Sequence, residues 1–346
     1  MRIAIVNDVP MAVEAVSRVL EQTSEHQVAW IARNGNEAVE RCAEDRPDLI
    51  LMDIVMPDLN GVEATRRIMA NTPCAILIVT ATIEGHAGKV FEALGAGALD
   101  VVKTPILGPD GRGEGAAALV AKIDILSRLI TGKSSRPRTP DAVEAPAVSP
   151  ARNRLVAIGA SAGGPAALAT VLSGLPRDFS AAVVMVQHVD VQFAPLMAKW
   201  LRDQSTLPVR MAAEGDQPQP GEALLAGTND HLIFVNGREL GYTSEPSTYS
   251  YRPSADVFFQ SVLRHWKGDV VAVLLTGMGR DGAKGLKALR DAGALTIAQD
   301  RESCVVYGMP KAAVEMGAAV EVLPLEEIAP RLARHFSSAN QREACS

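Results

Sequence analysis

Short apolar runs alternate with segments of helical spacing along this chain, and the alternation limits the folds that it can adopt. Before residue 131 the apolar runs are residues 3–6, 28–32, 49–52, 75–79 and 98–102. After residue 151 they are residues 155–158, 182–186, 233–235, 270–275 and 295–298. Strands that are apolar along nearly their whole length are typical of parallel sheets covered by helices on both faces. The sequence therefore predicts two α/β domains, each built on a doubly wound parallel sheet.

The two series of runs are separated by residues 131–151, which read TGKSSRPRTPDAVEAPAVSPA. This stretch has four prolines, several Ser and Thr residues, and no apolar periodicity. It cannot bury enough apolar surface to offset the entropy lost on ordering. We therefore predict a first domain over residues 1–130, a flexible linker over 131–151 and a second domain over 152–338.

Composition narrows the possible partners and the compartment. The formal net charge is -6 over 346 residues, which argues against binding to nucleic acid. No apolar run of the sequence approaches the ~18 residues that span a bilayer, so we expect no membrane insertion. The four cysteines show no Cys-x-x-Cys spacing and fit free thiols in a reducing compartment: Cys42, Cys74, Cys304 and Cys345. These features predict a cytoplasmic protein.

Polar side chains follow the predicted strands of the first domain where each strand ends. Asp8 comes shortly after the first run, and Asp53 follows the third run directly. The carboxyl ends of parallel strands meet at one crevice, where clustered carboxylates suit Mg2+. Thr80 and Lys103 end the next two strands, and a hydroxyl and an ammonium there suit the oxygens of a phosphoryl group. Asp53 is then the candidate phosphoryl acceptor, although each Asp taken singly is more often a turn residue.

A turn of small residues follows the first strand of the second domain, where residues 155–165 read LVAIGASAGGP. Its G-x-S-x-G spacing favours a nucleophilic Ser161, but such a turn also suits an anion-binding loop or a purely structural turn. His188 ends the next strand, and Asp281 lies in a glycine-rich loop after the fourth run. Three strand ends thus offer a nucleophile, a base and a residue that orients the base. The backbone amides of the last loop, that of Met278 among them, are candidates for binding an oxyanion.

The chain order of these residues leaves alternatives open. The order here is Ser, His, Asp, whereas an α/β-hydrolase runs Ser, Asp, His. Under the second order the base would be a later histidine, His231, His265 or His335, of which His231 fits best because it follows a loop. Two functions of another class remain: a domain that only binds a partner, and a nucleotide-binding domain that uses residues 159–164. The latter lacks the usual acid about 20 residues on, since the following strand ends at His188.

The segment LILMDIVMPDLNGVEATRRI resembles the receiver domain of response regulators, and the resemblance extends over about residues 1–125. It implies a flavodoxin-like fold that is phosphorylated on an aspartate and binds Mg2+. By position, the resemblance implies Asp53 as the phosphorylation site, Asp8, Asp53 and the Val55 carbonyl as metal ligands, and Thr80 and Lys103 as switch residues.

Two positions depart from the receiver pattern. Asn7 stands where receivers usually carry a second acid, and one fewer negative charge should weaken Mg2+ binding. The usual Lys-Pro pair becomes Lys103-Thr104-Pro105, and a gapless alignment puts Thr104 where the lysine is expected. Either Lys103 or Thr104 therefore takes the position of the receiver lysine.

Five motifs of the second domain resemble the catalytic domain of the chemotaxis-type protein-glutamate methylesterases, the CheB family: GASAGGP, VVMVQH, YRPSADVFFQSV, LLTGMGRDGAKGL and AQDRESCVVYGMPKAA. Receiver, linker and esterase occur in that order in the family, so the match covers nearly the whole chain. The resemblance implies a Rossmann-like domain with Ser161 as nucleophile, His188 as base, Asp281 as orienter and Met278 as oxyanion donor. Ala162 stands where many members have Thr, which leaves the triad intact.

The resemblance also implies a reaction and partners. The family hydrolyses glutamate γ-methyl esters on the cytoplasmic helices of chemoreceptors, releases methanol, and often deamidates receptor glutamines. The esterase domain needs no cofactor, and a CheA-type histidine kinase supplies the phosphoryl group. The opening IVNDVPMAVEA and the displaced lysine are more similar to the Wsp-type branch, in which the esterase dampens a sensory array that controls a cyclic diguanylate synthase.

Overall fold

The computed structural model describes residues 1–81, 85–106, 115–130, 153–249 and 251–343, with side chains described as far as residue 337. It divides into two compact units, Met1–Ser135 and Arg136–Ser346. The predicted linker, residues 131–151, lies outside the described residues, so its bounds and those of the two domains stay predictions. Within the described ranges, no helix combines the length and the apolar character that a bilayer crossing requires.

The first unit is a parallel sheet with helices between its strands. Its strands are β1 (Arg2–Val6), β2 (Gln27–Ala32), β3 (Leu49–Met52), β4 (Ala75–Thr80) and β5 (Asp100–Lys103). Its helices are α1 (Pro10–Glu21), α2 (Gly35–Glu44), α3 (Gly61–Asn71), α4 (Ala87–Gly95) and α5 (Ala116–Ile130). The strands pair in the order β2-β1-β3-β4-β5, all in parallel. This is the flavodoxin-like order, so the predicted fold of the first domain is confirmed.

Local sequence signals set where these elements begin. The central strand β3 is buried along its whole length, as its apolar run predicts. Pro10 stands at the start of α1, where its missing N–H costs nothing. Asn34 caps α2 and Asn60 caps α3, because each side chain accepts a backbone N–H of the first helical turn. The loops that carry the candidate phosphorylation site therefore run between fixed strand and helix ends.

The second unit is a larger parallel sheet. The sheet strands are β6 (Arg154–Ala160), β7 (Ala182–Gln187), β8 (Val209–Met211), β9 (Ala223–Leu225), β12 (Asp269–Leu274), β13 (Leu295–Gln299) and β14 (Glu321–Leu323), and a separate hairpin holds β10 (His231–Phe234) and β11 (Leu240–Thr243). The helices are α6 (Gly164–Gly174), α7 (Ala194–Gln204), α8 (Ala255–His265), α9 (Ala283–Asp291), α10 (Met309–Glu315) and α11 (Leu325–Glu343). The strand order is β14-β13-β12-β6-β7-β9-β8, all in parallel. The predicted doubly wound α/β class is confirmed here too.

The hairpin departs from the sequence-based expectation. The run at residues 233–235 is predicted as a strand of the parallel-sheet domain, but β10 pairs antiparallel with β11 and lies outside the large sheet. The connection between the two strands is short, and a short connection permits only antiparallel pairing. Strands β8, β9 and β14 have three residues each, too few to give a periodic signal in the sequence.

The strand order creates a switch point in the middle of the second sheet. The strands that follow β6 first in the chain, β7 to β9, lie on one side of it, and the later strands β12, β13 and β14 lie on the other. In open α/β sheets the ligand crevice lies at the carboxyl ends of the strands where the order reverses. Ser161 follows β6 directly, His188 follows β7 directly, and Asp281 lies in the loop after β12. All three predicted triad residues therefore converge on this crevice.

Candidate active site

Ser161 lies on a tight turn between β6 and α6. Its backbone N–H donates to the Thr276 carbonyl at 3.0 Å, and its carbonyl accepts the N–H of Gly164 at 2.7 Å. Gly163 has φ +77, and a Cβ there would lie 2.6 Å from the Cβ of Val305, so only glycine fits this position. The turn is thus held from two sides, with Ser161 buried at the start of the helix.

His188 lies beside Ser161 because β7 is the neighbour of β6. The imidazole Nδ1 is 3.1 Å from the Ser161 Oγ, and only 2% of the His188 side chain is exposed. The amide of Gln187 ties the two loops together, because its Nε2 donates to the Ser161 carbonyl at 2.9 Å and to the His188 carbonyl at 3.2 Å. The hydroxyl and the ring are therefore set within hydrogen-bonding distance before any substrate arrives.

Asp281 accepts hydrogen bonds on both carboxylate oxygens. Its Oδ2 lies 2.8 Å from the His188 Nε2 and accepts the Ala255 N–H at 2.7 Å. Its Oδ1 accepts the Ser254 hydroxyl at 2.7 Å and the Asp256 N–H at 3.1 Å. Burial acts to raise the pKa of Asp281, but the bonds from His188, Ser254 and Ala255 outweigh it, so the pKa lies below its usual value. The carboxylate is therefore ionised and lies at the positive N-terminus of α8.

The hydrogen bonds determine which imidazole nitrogen is the base. An ionised Asp281 can only accept a hydrogen bond from the His188 Nε2, so Nε2 carries the N–H and Nδ1 presents its lone pair to Ser161. In chymotrypsin-like triads Nε2 faces the serine and Nδ1 faces the aspartate. The two nitrogens have exchanged places here, yet the ring still links a hydroxyl to a carboxylate.

The loop that contains Met278 packs directly against Ser161. A Cβ on Gly277 would come 2.8 Å from the Ser161 Cβ, which shows how closely this backbone approaches the serine. The Gly277 carbonyl accepts the N–H groups of Gly308 at 3.1 Å and Met309 at 2.8 Å, which fixes the loop. Met278 is the next residue along this fixed backbone, and its role as oxyanion donor stays a prediction.

The later histidines occupy other environments. His231 is fully buried, its Nδ1 accepts the Ser254 N–H at 3.1 Å, and its Nε2 lies 3.2 Å from the Pro246 carbonyl. His265 ends α8, and the Nε2 of His335 lies 3.1 Å from an oxygen of Asp269. Of these four histidines, His188 is the one that lies within hydrogen-bonding distance of Ser161, so the geometry favours the chain order Ser, His, Asp.

Two neighbours of the triad were missed by sequence reasoning. Ser254 stands before an apolar helical pattern, a signal that indicates a helix cap but not a contact with Asp281. Tyr251 stacks on the ring of His188, with the two centroids 4.3 Å apart. The two partners lie far apart in sequence, and no local pattern predicts this contact.

The first unit brings Asp8 and Asp53 to one edge of its sheet, because β1 pairs with β3 up to Val6 and Met52. Burial raises the pKa of Asp53 to about 6, and the negative charge of Asp8 adds to the rise. The Asp8 Oδ1 is buried and has no hydrogen-bond partner. A buried carboxylate oxygen without a partner, next to a second carboxylate that is hard to ionise, fits a bound cation such as Mg2+.

The other predicted receiver residues surround this edge. The Val55 N–H bonds the Asp53 carboxylate, and the Asn7 Oδ1 accepts the Val9 N–H at 2.8 Å. Thr80 pairs with Lys103 at the ends of β4 and β5.

The structure describes both candidates for the receiver lysine position. The Lys103 side chain is exposed, while the Thr104 Oγ1 is buried without a hydrogen-bond partner. The roles of both residues stay predictions.

Comparison with known proteins agrees with both units. The family model of the response regulator receiver domain matches residues 3–110 of the sequence. The family model of CheB methylesterase matches residues 156–332. Protein-glutamate methylesterase/protein-glutamine glutaminase 3 of Pseudomonas aeruginosa is 57% identical over 97% of this chain and 100% of its own length. The corresponding protein 1 of Pseudomonas fluorescens is 59% identical over 97% of this chain and 99% of its own.

Solved structures include the CheB methylesterase catalytic domain of Thermotoga maritima, which is 36% identical. That match has a TM-score of 0.49 and covers 53% of this chain and 98% of the other. The CheB methylesterase family model matches about half of the chain, and relatives are similar along nearly all of it, so the chain belongs to the CheB methylesterase family and carries a response regulator receiver domain.

Proposed function

We propose that this protein is a protein-glutamate methylesterase that is regulated by phosphorylation of its receiver domain. Its substrates are glutamate γ-methyl esters on methyl-accepting, chemoreceptor-like proteins, and its products are a free carboxylate and methanol. The observation that carries the proposal is the chain of hydrogen bonds from Ser161 through His188 to Asp281. This chain is what nucleophilic acyl transfer from an ester requires.

The first half of the reaction transfers the glutamyl group to the enzyme. The His188 Nδ1 takes the proton from Ser161 as the Oγ forms a bond to the ester carbonyl carbon. The negative charge moves to the carbonyl oxygen, where loop amides such as that of Met278 stabilise it. Asp281 stabilises the imidazolium through Nε2. The intermediate then collapses, the bond to the methoxy oxygen breaks, and His188 returns the proton to give methanol.

The second half releases the product. A water molecule gives a proton to His188 as its oxygen attacks the carbonyl carbon of the acyl-enzyme. Collapse breaks the bond to the Ser161 Oγ, which regains the proton from His188, and the new carboxyl group of the glutamate loses its remaining proton to solvent and leaves as a carboxylate. A glutamine substrate follows the same steps with ammonia as the leaving group, and the names of the relatives include this glutaminase activity.

The receiver supplies the regulation. Asp53 accepts a phosphoryl group from a CheA-type histidine kinase, and Thr80 and Lys103 respond to it. Asp8, Asp53 and the Val55 carbonyl would hold Mg2+, and the buried Asp8 Oδ1 without a partner supports this assignment. Mg2+ would neutralise the carboxylates and the phosphoryl oxygens that meet there.

The pathway is a finer part of the same proposal. The Wsp-type branch is supported by the opening IVNDVPMAVEA and by the order Lys103-Thr104-Pro105. In that branch the esterase resets a surface-sensing array. In this chain the receiver (1–130) and the esterase domain (152–338) are joined by the linker (131–151).

The experiment uses a receptor cytoplasmic fragment whose glutamates carry isotope-labelled methyl esters. We expect the full chain to release labelled methanol, and to do so faster with a small-molecule phosphodonor and Mg2+. Asp53→Asn should abolish the acceleration but keep the basal rate, whereas the matched variant Asp58→Asn should keep both. If the wild-type protein releases no methanol from the fragment under either condition, the proposed function is wrong.

A further inference from the structure

The phenol ring of Tyr251 covers one face of the catalytic imidazole. The ring centroids of Tyr251 and His188 are 4.3 Å apart, and the planes differ by 9°. This is a nearly parallel stack, with the centroids slightly closer than is usual for aromatic pairs. The contact lies on the face of His188, whereas Ser161 and Asp281 contact its edge through the two ring nitrogens.

The edge contacts alone do not fix the ring. The imidazole can tilt by rotating about its Cβ–Cγ bond, and at its edge only the hydrogen bonds at Nδ1 and Nε2 oppose this tilt. A tilt turns the Nδ1 lone pair away from the Ser161 Oγ, and hydrogen bonds weaken as they lose alignment. A flat ring against the face of His188 blocks that tilt.

The segment that carries Tyr251 also holds the third member of the triad. Ser254 and Ala255, three and four residues further on, donate to the two oxygens of Asp281 at 2.7 Å each. The same segment therefore contacts the face of His188 through Tyr251 and fixes Asp281, the hydrogen-bond partner at the edge of His188. Ser254 also caps the N-terminus of α8, so the position of Tyr251 is tied to a helix end.

The stack also suits the charge that develops during the reaction. His188 is neutral while it waits for the Ser161 proton and positive once it has taken it. A cation over the face of a tyrosine ring is attracted to the π electrons. An attraction that grows as the imidazolium forms raises kcat rather than lowering KM.

We propose that Tyr251 is a positioning residue for His188: it sets the tilt of the imidazole and stabilises the imidazolium through the face of its ring. The inference rests on the proposed esterase function and adds a residue to its machinery. It assigns the effect to the aromatic face and not to the hydroxyl group.

The test compares Tyr251→Leu with Tyr251→Phe in the full chain. We expect the Leu variant to lose about 3- to 30-fold in kcat for methanol release with KM within about twofold, the pattern of an interaction made in the transition state. The Phe variant keeps the ring face and should retain kcat within about twofold. Equal kcat in the Leu variant and the wild type would overturn the inference. So would an equal loss in both variants, because the hydroxyl would then be responsible.

A spectroscopic measurement covers the case in which the Leu variant does not fold. In the wild type the His188 Cε1–H resonance, assigned by its loss in His188→Gln, should be shifted upfield by the ring current of Tyr251. The Phe variant should keep this shift. A His188 resonance without the shift in the active wild type would overturn the stack itself. Absence of methanol release by the wild type would instead refute the proposed function, so the two failures are distinguishable.

Discussion

Replacing Asp281 with asparagine tests how the structure holds the catalytic histidine. Four donors surround the carboxylate: His188 and Ala255 on one oxygen, Ser254 and Asp256 on the other. Asparagine has nearly the same shape but offers one acceptor oxygen and one NH2 group. Whichever way the amide turns, its NH2 meets one backbone N–H, so at least one hydrogen bond to a charge becomes a contact between two donors.

The distances decide which way the amide turns. If the NH2 faces His188, it also meets the Ala255 N–H, whose bond to Asp281 is short at 2.7 Å, and the imidazole must change its tautomer. If it faces Ser254, the hydroxyl can rotate to accept, and only the longer 3.1 Å bond from Asp256 is lost. The second orientation is less costly, so the imidazole should keep its proton on Nε2.

The magnitude follows from that orientation. A triad whose Asp→Asn variant adopts the wrong tautomer loses about 10⁴ in kcat. With the tautomer kept, the loss reflects only the missing negative charge beside the imidazolium, about 2–4 kcal/mol or roughly 30- to 1,000-fold. The unpaired Asp256 N–H should lower the free energy of unfolding by about 1–3 kcal/mol.

The assay is methanol release from a methylated receptor fragment, combined with urea unfolding. Asp178→Asn serves as the matched control, because Asp178 is exposed before β7. A loss of 10⁴ or more in Asp281→Asn would refute the amide orientation argued from the distances. A rate within about threefold of the wild type would show that Asp281 does not support the base.

Three further predictions concern single residues. Ser254→Ala removes a 2.7 Å hydrogen bond to Asp281 and the cap of α8, so the free energy of unfolding measured in urea should fall by about 1.5–3 kcal/mol. An unchanged urea midpoint would contradict both contacts. Asn7→Asp adds a carboxylate beside Asp53, so the Mg2+ concentration at the midpoint of a Trp30 fluorescence titration should fall. An unchanged midpoint would place residue 7 outside the metal site. The raised pKa of Asp53, about 6, means that the folded receiver binds this proton more tightly than the unfolded chain. Without Mg2+, receiver stability should therefore fall as pH rises from about 4 to 6, and Asp53→Asn should flatten this dependence; the same slope in both proteins would contradict the assignment.

Strand-end reasoning predicted most of the candidate site. Ser161 and His188 end two strands that are neighbours in the sheet, and consecutive strands in α/β folds usually pair. Asp281 follows β12, which lies on the other side of β6. A single geometric rule, that parallel strands end at one crevice, thus places all three residues together.

The rule that parallel strands end at one crevice does not predict the contacts around the triad. Tyr251 and Ser254 reach the triad from a segment between the hairpin and α8, and their contacts depend on where tertiary packing places that segment. The roles of the His188 nitrogens depend on the tilt and direction of one ring, which sequence spacing does not encode. The run at residues 233–235 is a strand as predicted, but its place in a separate hairpin could not be predicted, because a short apolar run has the same pattern in parallel and antiparallel pairs.

The central claim is that Ser161 is the nucleophile of an ester hydrolase. The most direct measurement is methanol release by Ser161→Ala beside Ser173→Ala, which changes an exposed serine on the helix that follows the same turn. We predict that Ser161→Ala loses about 10⁶ in kcat, as expected when a triad loses its nucleophile, while Ser173→Ala matches the wild type. If Ser161→Ala retains even about a tenth of the methanol release, a different group performs the attack and the assignment of the site is wrong.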